Sequence, residues 1–100
     1  MPLRHLLLLP LLAVPWAGAA EDTNPTIGRN LAATCVSCHG PAGRTANGIP
    51  VIAGRSKDSL MARLTAFKEG KRPSTVMTQL AKGYSDAQIE AIAEYFAAQK

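Results

Sequence analysis

The sequence predicts a small all-α domain. Three segments of the 100-residue chain combine a helix start signal with apolar residues at helical spacing. We find no segment with the alternation of apolar and polar residues that is typical of a half-buried β-strand. We therefore expect about three main helices joined by long irregular loops.

Residues 1–20 are predicted to be a secretory signal peptide. A basic N-terminus precedes an apolar stretch over residues 6–14, and small residues at Gly18 and Ala20 favour cleavage after Ala20. The apolar stretch is shorter than the ~20 residues that span a bilayer, so we expect no stable membrane anchor after cleavage. The sequence thus predicts a periplasmic protein whose domain comprises residues 21–100.

The first helix is predicted to begin at Asn24-Pro25. Asparagine is a good N-cap, and proline is favoured at the first helical position. Apolar residues Ile27 and Leu31 continue the pattern towards Cys35, so this helix leads the chain into the two cysteines.

The second helix is predicted to run from near Ser56 to Gly70. Leu60, Leu64 and Phe67 follow one another at i, i+4 and i+7, which places them on one face. Glycine is the residue most often found just beyond a helix end. We expect this face to cover one side of the core.

The third helix is predicted to begin at Ser85 and to reach the C-terminus. Ser85 and Gln88 have the spacing of a capping box, in which each side chain bonds the other's backbone. Ile89, Ile92 and Phe96 then recur at helical spacing. This apolar face needs a partner helix.

The most informative motif is Cys35-Val36-Ser37-Cys38-His39. C-x-x-C-H is the pattern of covalent haem attachment, in which two thiols add to the haem vinyl groups and the adjacent imidazole ligates the iron. The chain has two cysteines and two histidines, and His5 lies in the predicted signal peptide. The motif therefore predicts one covalently bound haem c at Cys35 and Cys38, with His39 as a metal ligand.

Three other interpretations of the motif are a disulfide or thioredoxin-like redox pair, a zinc site, and a chance match. A thioredoxin-like pair needs a βαβ context, whereas Cys38 and His39 are followed by a Gly- and Pro-rich loop at residues 40–43. A structural zinc ion takes four ligands, and the motif supplies three.

The size of the domain also favours a bound cofactor. Removing 20 residues leaves 80 with four aromatic side chains, which is little material for a core. The loop over residues 40–55 is long for such a domain unless it packs on something. We expect Ile49, Val51 and Ile52 to pack against a haem.

The charge balance of the chain favours a protein partner. The chain has 11 Lys and Arg against 7 Asp and Glu, without the basic run or interleaved aromatic stripe of a nucleic-acid-binding protein. This mildly basic balance suits an acidic redox partner. The cations that could surround the exposed haem edge are Lys57, Lys68, Lys71, Arg72 and Lys82.

Two methionines are candidates for the second axial position. Met61 lies in the second helix beside Leu60, where packing is the ordinary role of methionine. Met77 follows Gly70 and Pro73 in what we expect to be irregular chain, which could reach the iron. The residues alone favour Met77 over Met61.

The chain resembles class I c-type cytochromes, especially small bacterial periplasmic types with one haem or two tandem haems. The resemblance covers residues 24–100. It rests on residues 28–40, 49–54, 67–73, 77, 82–85 and 93–96. It implies the cytochrome c fold, in which the first and last helices cross.

The resemblance also implies roles for individual residues. His39 would be the proximal ligand, Met77 the distal ligand, and the Pro50 carbonyl the acceptor for the outer N–H of His39. The close helix crossing would place Gly28 against the Ile92 and Tyr95 face, which explains a glycine within a helix.

The implied function is electron transfer rather than catalysis, because His39 and Met77 would fill both axial positions. Residues 67–77 and 83–85 are similar to cytochrome subunits of flavocytochrome c sulfide dehydrogenases, which implies a flavoprotein partner. The alternatives are a diffusible electron shuttle between respiratory complexes and a haem-based sensor with a labile distal ligand.

Overall fold

The computed structural model describes residues 25–45 and 47–100, together with Pro10, Leu12 and Ala13. The rest of the predicted signal peptide, its cleavage position after Ala20 and the predicted N-cap Asn24 lie outside the described residues. In the described part of the chain, no helix is long and apolar enough to cross a membrane.

Helices and connecting loops make up the whole of the described chain, which contains five α-helices and one 3-10 turn and no strand. In chain order they are α1 (Pro25–Ala32), α2 (Val36–His39), the 3-10 turn (Pro41–Gly43), α3 (Lys57–Lys68), α4 (Met77–Lys82) and α5 (Asp86–Ala97). The all-α prediction is therefore confirmed.

Two helix starts follow the predicted capping signals. The Ser56 hydroxyl accepts a hydrogen bond from the Ser59 N–H at 3.1 Å and caps α3. At α5 the capping box is complete, because Ser85 Oγ accepts from the Gln88 N–H at 3.2 Å and Gln88 Oε1 accepts from the Ser85 N–H at 2.9 Å. Each bond satisfies an N–H that the helix itself cannot pair.

The helix count differs from the expected three because the chain forms two further short helices. After α1 ends at Ala32, a turn leads to α2, which carries the second half of the cysteine motif. Met77 was expected in irregular chain, and this was wrong, since it is the first residue of α4. The irregular segment ends at Val76.

The three longest helices form the core. α5 packs against α1 on one side and α3 on the other. The buried cluster between them consists of Ala32, Leu60, Ile92, Ala93 and Phe96. This arrangement confirms that the first and last helices meet.

Gly28 is buried where α1 meets α5. A Cβ atom on Gly28 would lie 2.6 Å from the Ala91 backbone oxygen and 3.3 Å from Tyr95 Cβ. The predicted close approach is present, but its nearest partner is Ala91 rather than Ile92. A backbone oxygen cannot rotate away, so only glycine fits at this crossing.

Candidate haem-binding site

A cavity of about 320 Å³ lies between α2, α3, α4, α5 and the loop around Pro50. The five predicted site residues all line it: Cys35, Cys38, His39, Pro50 and Met77. Its volume is within the ~300–1,000 Å³ typical of cofactor sites. Residues distant in sequence are thus brought to one place by the fold.

The first two site residues are free thiols at the edge of the cavity. Cys35 is half-buried and Cys38 is exposed. Burial raises the pKa of the Cys35 thiol, and a hydrogen bond with the Thr34 side chain partly opposes that rise. The short helix α2 starts here, because the His39 N–H donates to the Cys35 carbonyl at 2.9 Å.

His39 is buried, and a hydrogen bond to the loop at Pro50 fixes the orientation of its ring. Its Nδ1 lies 2.7 Å from the Pro50 carbonyl oxygen, which can only accept a hydrogen bond. The proton is therefore on Nδ1, and the lone pair on Nε2 is free. This is how metal-ligating imidazoles are oriented in proteins, and it is the hydrogen bond implied by the resemblance.

The two methionines occupy different environments. Met77 is half-buried in the cavity wall. Met61 packs against the buried cluster between α1, α3 and α5. The structure therefore brings Met77, and not Met61, to the cavity that contains His39.

The rest of the wall is mostly apolar. Ile49 and Ile52 line the cavity as expected, whereas Val51 is absent from its described lining and uses its carbonyl to accept a hydrogen bond from Arg55 Nε at 2.7 Å. Leu60 and Phe67 contribute from α3. A flat apolar cofactor fits this wall.

Sequence reasoning missed Arg63 as a cavity residue, although the signal was available. Arg63 is three residues after Leu60 and four before Phe67, on the same helical face. Arg72 also lines the cavity, with its guanidinium 5.4 Å from the centre of the Phe67 ring. No carboxylate side chain is among the described lining residues, so the wall suits a cofactor that carries its own acid groups.

Most of the predicted ring of cations is paired within the protein. Lys57 forms ion pairs with Glu90 at 2.9 Å and Glu94 at 3.7 Å. The Glu90 hydrogen bond raises the pKa of Lys57. The expectation that Lys57 steers a partner is therefore corrected, since two carboxylates of its own chain compensate its charge.

Lys68 and Lys71 are paired as well. Lys68 lies 3.3 Å from an Asp86 oxygen, and Lys71 lies 2.8 Å from Glu69. Of the five predicted cations, Arg72 and Lys82 form no ion pair with the described residues. Only these two keep an uncompensated charge for a partner.

A larger, more open groove of about 810 Å³ lies between α1 and α5. Its described lining includes none of the five predicted site residues. The five predicted site residues thus lie at the smaller cavity only.

The fold and the cavity define a class of protein: an all-α domain whose C-x-x-C-H segment lines an apolar cavity of the size of a cofactor site. The family model described as "Cytochrome C oxidase, cbb3-type, subunit III" matches residues 23–96. The chain therefore belongs to this family of class I c-type cytochromes.

Similar proteins agree with this assignment. The chain is 41% identical to the cytochrome subunit of sulfide dehydrogenase from Chlorobaculum tepidum, over 78% of this chain and 71% of that protein. It is 43% identical to the thiosulfate dehydrogenase electron acceptor of Stutzerimonas stutzeri, over 63% of this chain and 31% of that protein. It is 39% identical to cytochrome c4 of Pseudomonas aeruginosa, over 94% of this chain and 46% of that protein.

The chain spans less than half of the latter two relatives, and more than two thirds of the first. Three predictions are confirmed: the cytochrome c fold, the covalently bound haem c with its iron, and the role of electron carrier rather than independent enzyme. The haem iron supplies one-electron chemistry by alternating between Fe(III) and Fe(II).

Proposed function

We propose that this cytochrome works in the periplasm, after cleavage of residues 1–20, and accepts electrons from the flavoprotein subunit of a sulfide dehydrogenase. The observation that carries the proposal is the 41% identity to a cytochrome subunit of sulfide dehydrogenase along most of both chains. The similarity of residues 67–77 and 83–85 to such subunits supports the same partner.

We further propose the roles of the site residues. Cys35 and Cys38 form the two thioether bonds, His39 supplies the proximal nitrogen through Nε2, and Met77 supplies the distal sulfur. The 2.7 Å hydrogen bond from His39 Nδ1 to the Pro50 carbonyl holds the imidazole plane and increases its basicity. With His39 and Met77 both holding the iron, the haem would supply electron transfer and would leave no coordination site for substrate.

The apolar wall assists electron transfer by excluding water. Leu60, Leu64 and Phe67 from α3 and Ile89 and Ile92 from α5 all line the cavity. Burial in such a wall and a thioether ligand both raise the reduction potential, because each disfavours the more highly charged Fe(III) state. The protein is thereby suited to accept an electron from a reduced donor.

The proposed partner surface is the rim of the cavity near α4. Val76 is 52% exposed and Leu80 is 49% exposed, and both also line the cavity. Arg72 lies on the same rim and forms no ion pair with the described residues. A partner with an apolar patch beside carboxylates complements this surface and would approach the cofactor closely.

The test is sulfide-driven reduction of the holo-cytochrome, followed by stopped-flow absorbance. We expect rapid reduction only when the flavoprotein subunit is present. Lys82→Gln, at an exposed position of α4 outside the described cavity lining, should slow that reduction while the reduction potential stays the same, and the exposed Ala87→Ser on α5 should behave as wild type. Reduction that does not depend on the flavoprotein, or no reduction with it, would contradict the proposal.

A diffusible shuttle is the second candidate, favoured by the similarity to cytochrome c4 over 94% of this chain. A subunit should co-elute with the flavoprotein at micromolar concentration in size-exclusion chromatography. A shuttle should elute alone and react with more than one donor.

A further inference from the structure

Helix α4 begins with Met77, the candidate distal ligand, but it buries few apolar side chains. It is six residues long, and such short helices depend on tertiary contacts for their stability. Ala81 is its one buried residue, Met77 is half-buried, and Leu80 is 49% exposed. Hydrogen bonds must therefore help to hold α4 in place, and at its start the Thr78 N–H donates to Ser74 Oγ at 3.0 Å.

Tyr84 provides a restraint on α4 from just beyond the end of that helix. Its hydroxyl oxygen lies 2.5 Å from Thr34 Oγ1, which joins chain positions 50 residues apart. Thr34 directly precedes Cys35 in the chain, and its hydroxyl also donates to the Leu31 carbonyl oxygen at 3.4 Å. This contact therefore links the segment just after the helix that begins with Met77 to the cysteine motif.

The backbone of Tyr84 is fixed as well. Lys68 Nζ, at the end of α3, donates to the Tyr84 carbonyl at 2.7 Å and lies 3.3 Å from Asp86 Oδ1. The Tyr84 N–H donates to the Ala81 carbonyl at 3.2 Å. Tyr84 is thus held at both ends, and its ring forms part of the cavity wall.

We propose that Tyr84 and Thr34 act as a latch that holds α4 against the Cys35 segment and keeps Met77 at the distal side of the cavity. Both are positioning residues, acting through Met77 and Cys35. This inference rests on the proposed role of Met77 as distal ligand. When the latch is broken, Met77 should be released more often without detachment of the haem.

The test measures how readily added imidazole displaces Met77 from the ferric holo-cytochrome. Imidazole binds only when Met77 has left, so its apparent affinity reports the released population. Tyr84→Phe and Thr34→Val should each bind imidazole about three- to tenfold more tightly, the factor expected for loss of one hydrogen bond. The double variant should show little further effect, because both changes remove the same bond.

Matched control variants distinguish loss of the Tyr84–Thr34 hydrogen bond from a general loss of stability. Thr34→Ser keeps the hydroxyl and should restore wild-type affinity. Tyr95→Phe loses a hydroxyl on the α1–α5 side and should not change imidazole binding. Leu31→Ala should lower the thermal midpoint through the α1–α5 packing and leave the imidazole affinity unchanged.

Three results would overturn the latch. Tyr84→Phe could show the red charge-transfer band of methionine-ligated ferric haem and still bind imidazole with wild-type affinity. That result would overturn the latch and leave Met77 as the ligand. Tighter binding in Leu31→Ala, to the same extent as in Tyr84→Phe, would also contradict it. If Met77→Ala leaves that band in place, the ligand assignment fails and the latch fails with it.

Discussion

Met77 and Met61 show how two residues of one type acquire different roles from their positions. Met77 begins a helix whose next turn is partly exposed, and Met77 lines the same cavity as His39. Met61 is within α3 and packs towards the core. Neighbouring structure, rather than residue type, distinguishes the proposed ligand from the packing residue.

Replacing each methionine by alanine should therefore give different results. Met77→Ala should keep the haem attached, abolish the red charge-transfer band and lower the reduction potential, because a soft ligand that favours Fe(II) is lost. Met61→Ala should keep the band and cost about 2 kcal/mol of unfolding free energy, since its side chain is only partly buried. Visible spectra and potentiometry of both variants check this. The reverse pattern would show that Met61 is the ligand.

At the scale of elements, the crossing of α1 and α5 depends on Gly28. Gly28→Ala would bring a methyl group to 2.6 Å from the Ala91 carbonyl oxygen, so the helices must separate. We expect a loss of about 1–3 kcal/mol in the free energy of unfolding, measured by denaturant titration. Asn30→Ala, on the exposed side of α1, should change it by less than about 0.5 kcal/mol. Equal stability of the two variants would show that the crossing tolerates a side chain.

The elements with strong local signals were predictable from the sequence. α3 and α5 start at serines with capping geometry and continue with apolar residues at helical spacing, so local chemistry and packing agree. α4 was not predicted, because its N-cap Val76 provides no side-chain cap and because Val76 and the α4 residue Leu80 are both about half exposed. Its position is decided by contacts with α3 and by Tyr84, which local sequence does not encode.

The site, too, has features that the local sequence predicts and features that depend on the tertiary fold. The C-x-x-C-H spacing identified three site residues directly, since its chemistry is local to the motif. The pairing of Lys57 with Glu90, 33 residues away, and of Lys68 with Asp86, 18 residues away, depends on how α3 meets α5. Those pairings could not be predicted from charge counts along the chain.

At the scale of the whole molecule, the residues that form the apolar core also form the wall of the cofactor cavity. Seven apolar residues are buried in the described chain, and all but Ala32 also line the cavity. Without a haem their inner surfaces would face an empty or hydrated space, and a domain of this size has little other core. The haem should therefore be required for folding.

The haem-free variant tests this requirement. A chain with both Cys35→Ala and Cys38→Ala, expressed without covalent haem, should have little helical circular dichroism and no cooperative thermal transition. The holo-protein should unfold cooperatively with its haem still attached. Native-like helicity and a sharp transition in the double variant would show that the apolar core is sufficient alone.

The most direct test of the central claim is mass spectrometry of the denatured, exported protein and of its tryptic peptides. Cleavage at Arg29 and Arg44 releases residues 30–44, which contain both cysteines and His39. We predict that the chain retains the mass of one haem after denaturation and that all of this added mass is on that peptide. A chain of unmodified mass, with Cys35 and Cys38 both open to alkylation, would contradict the account.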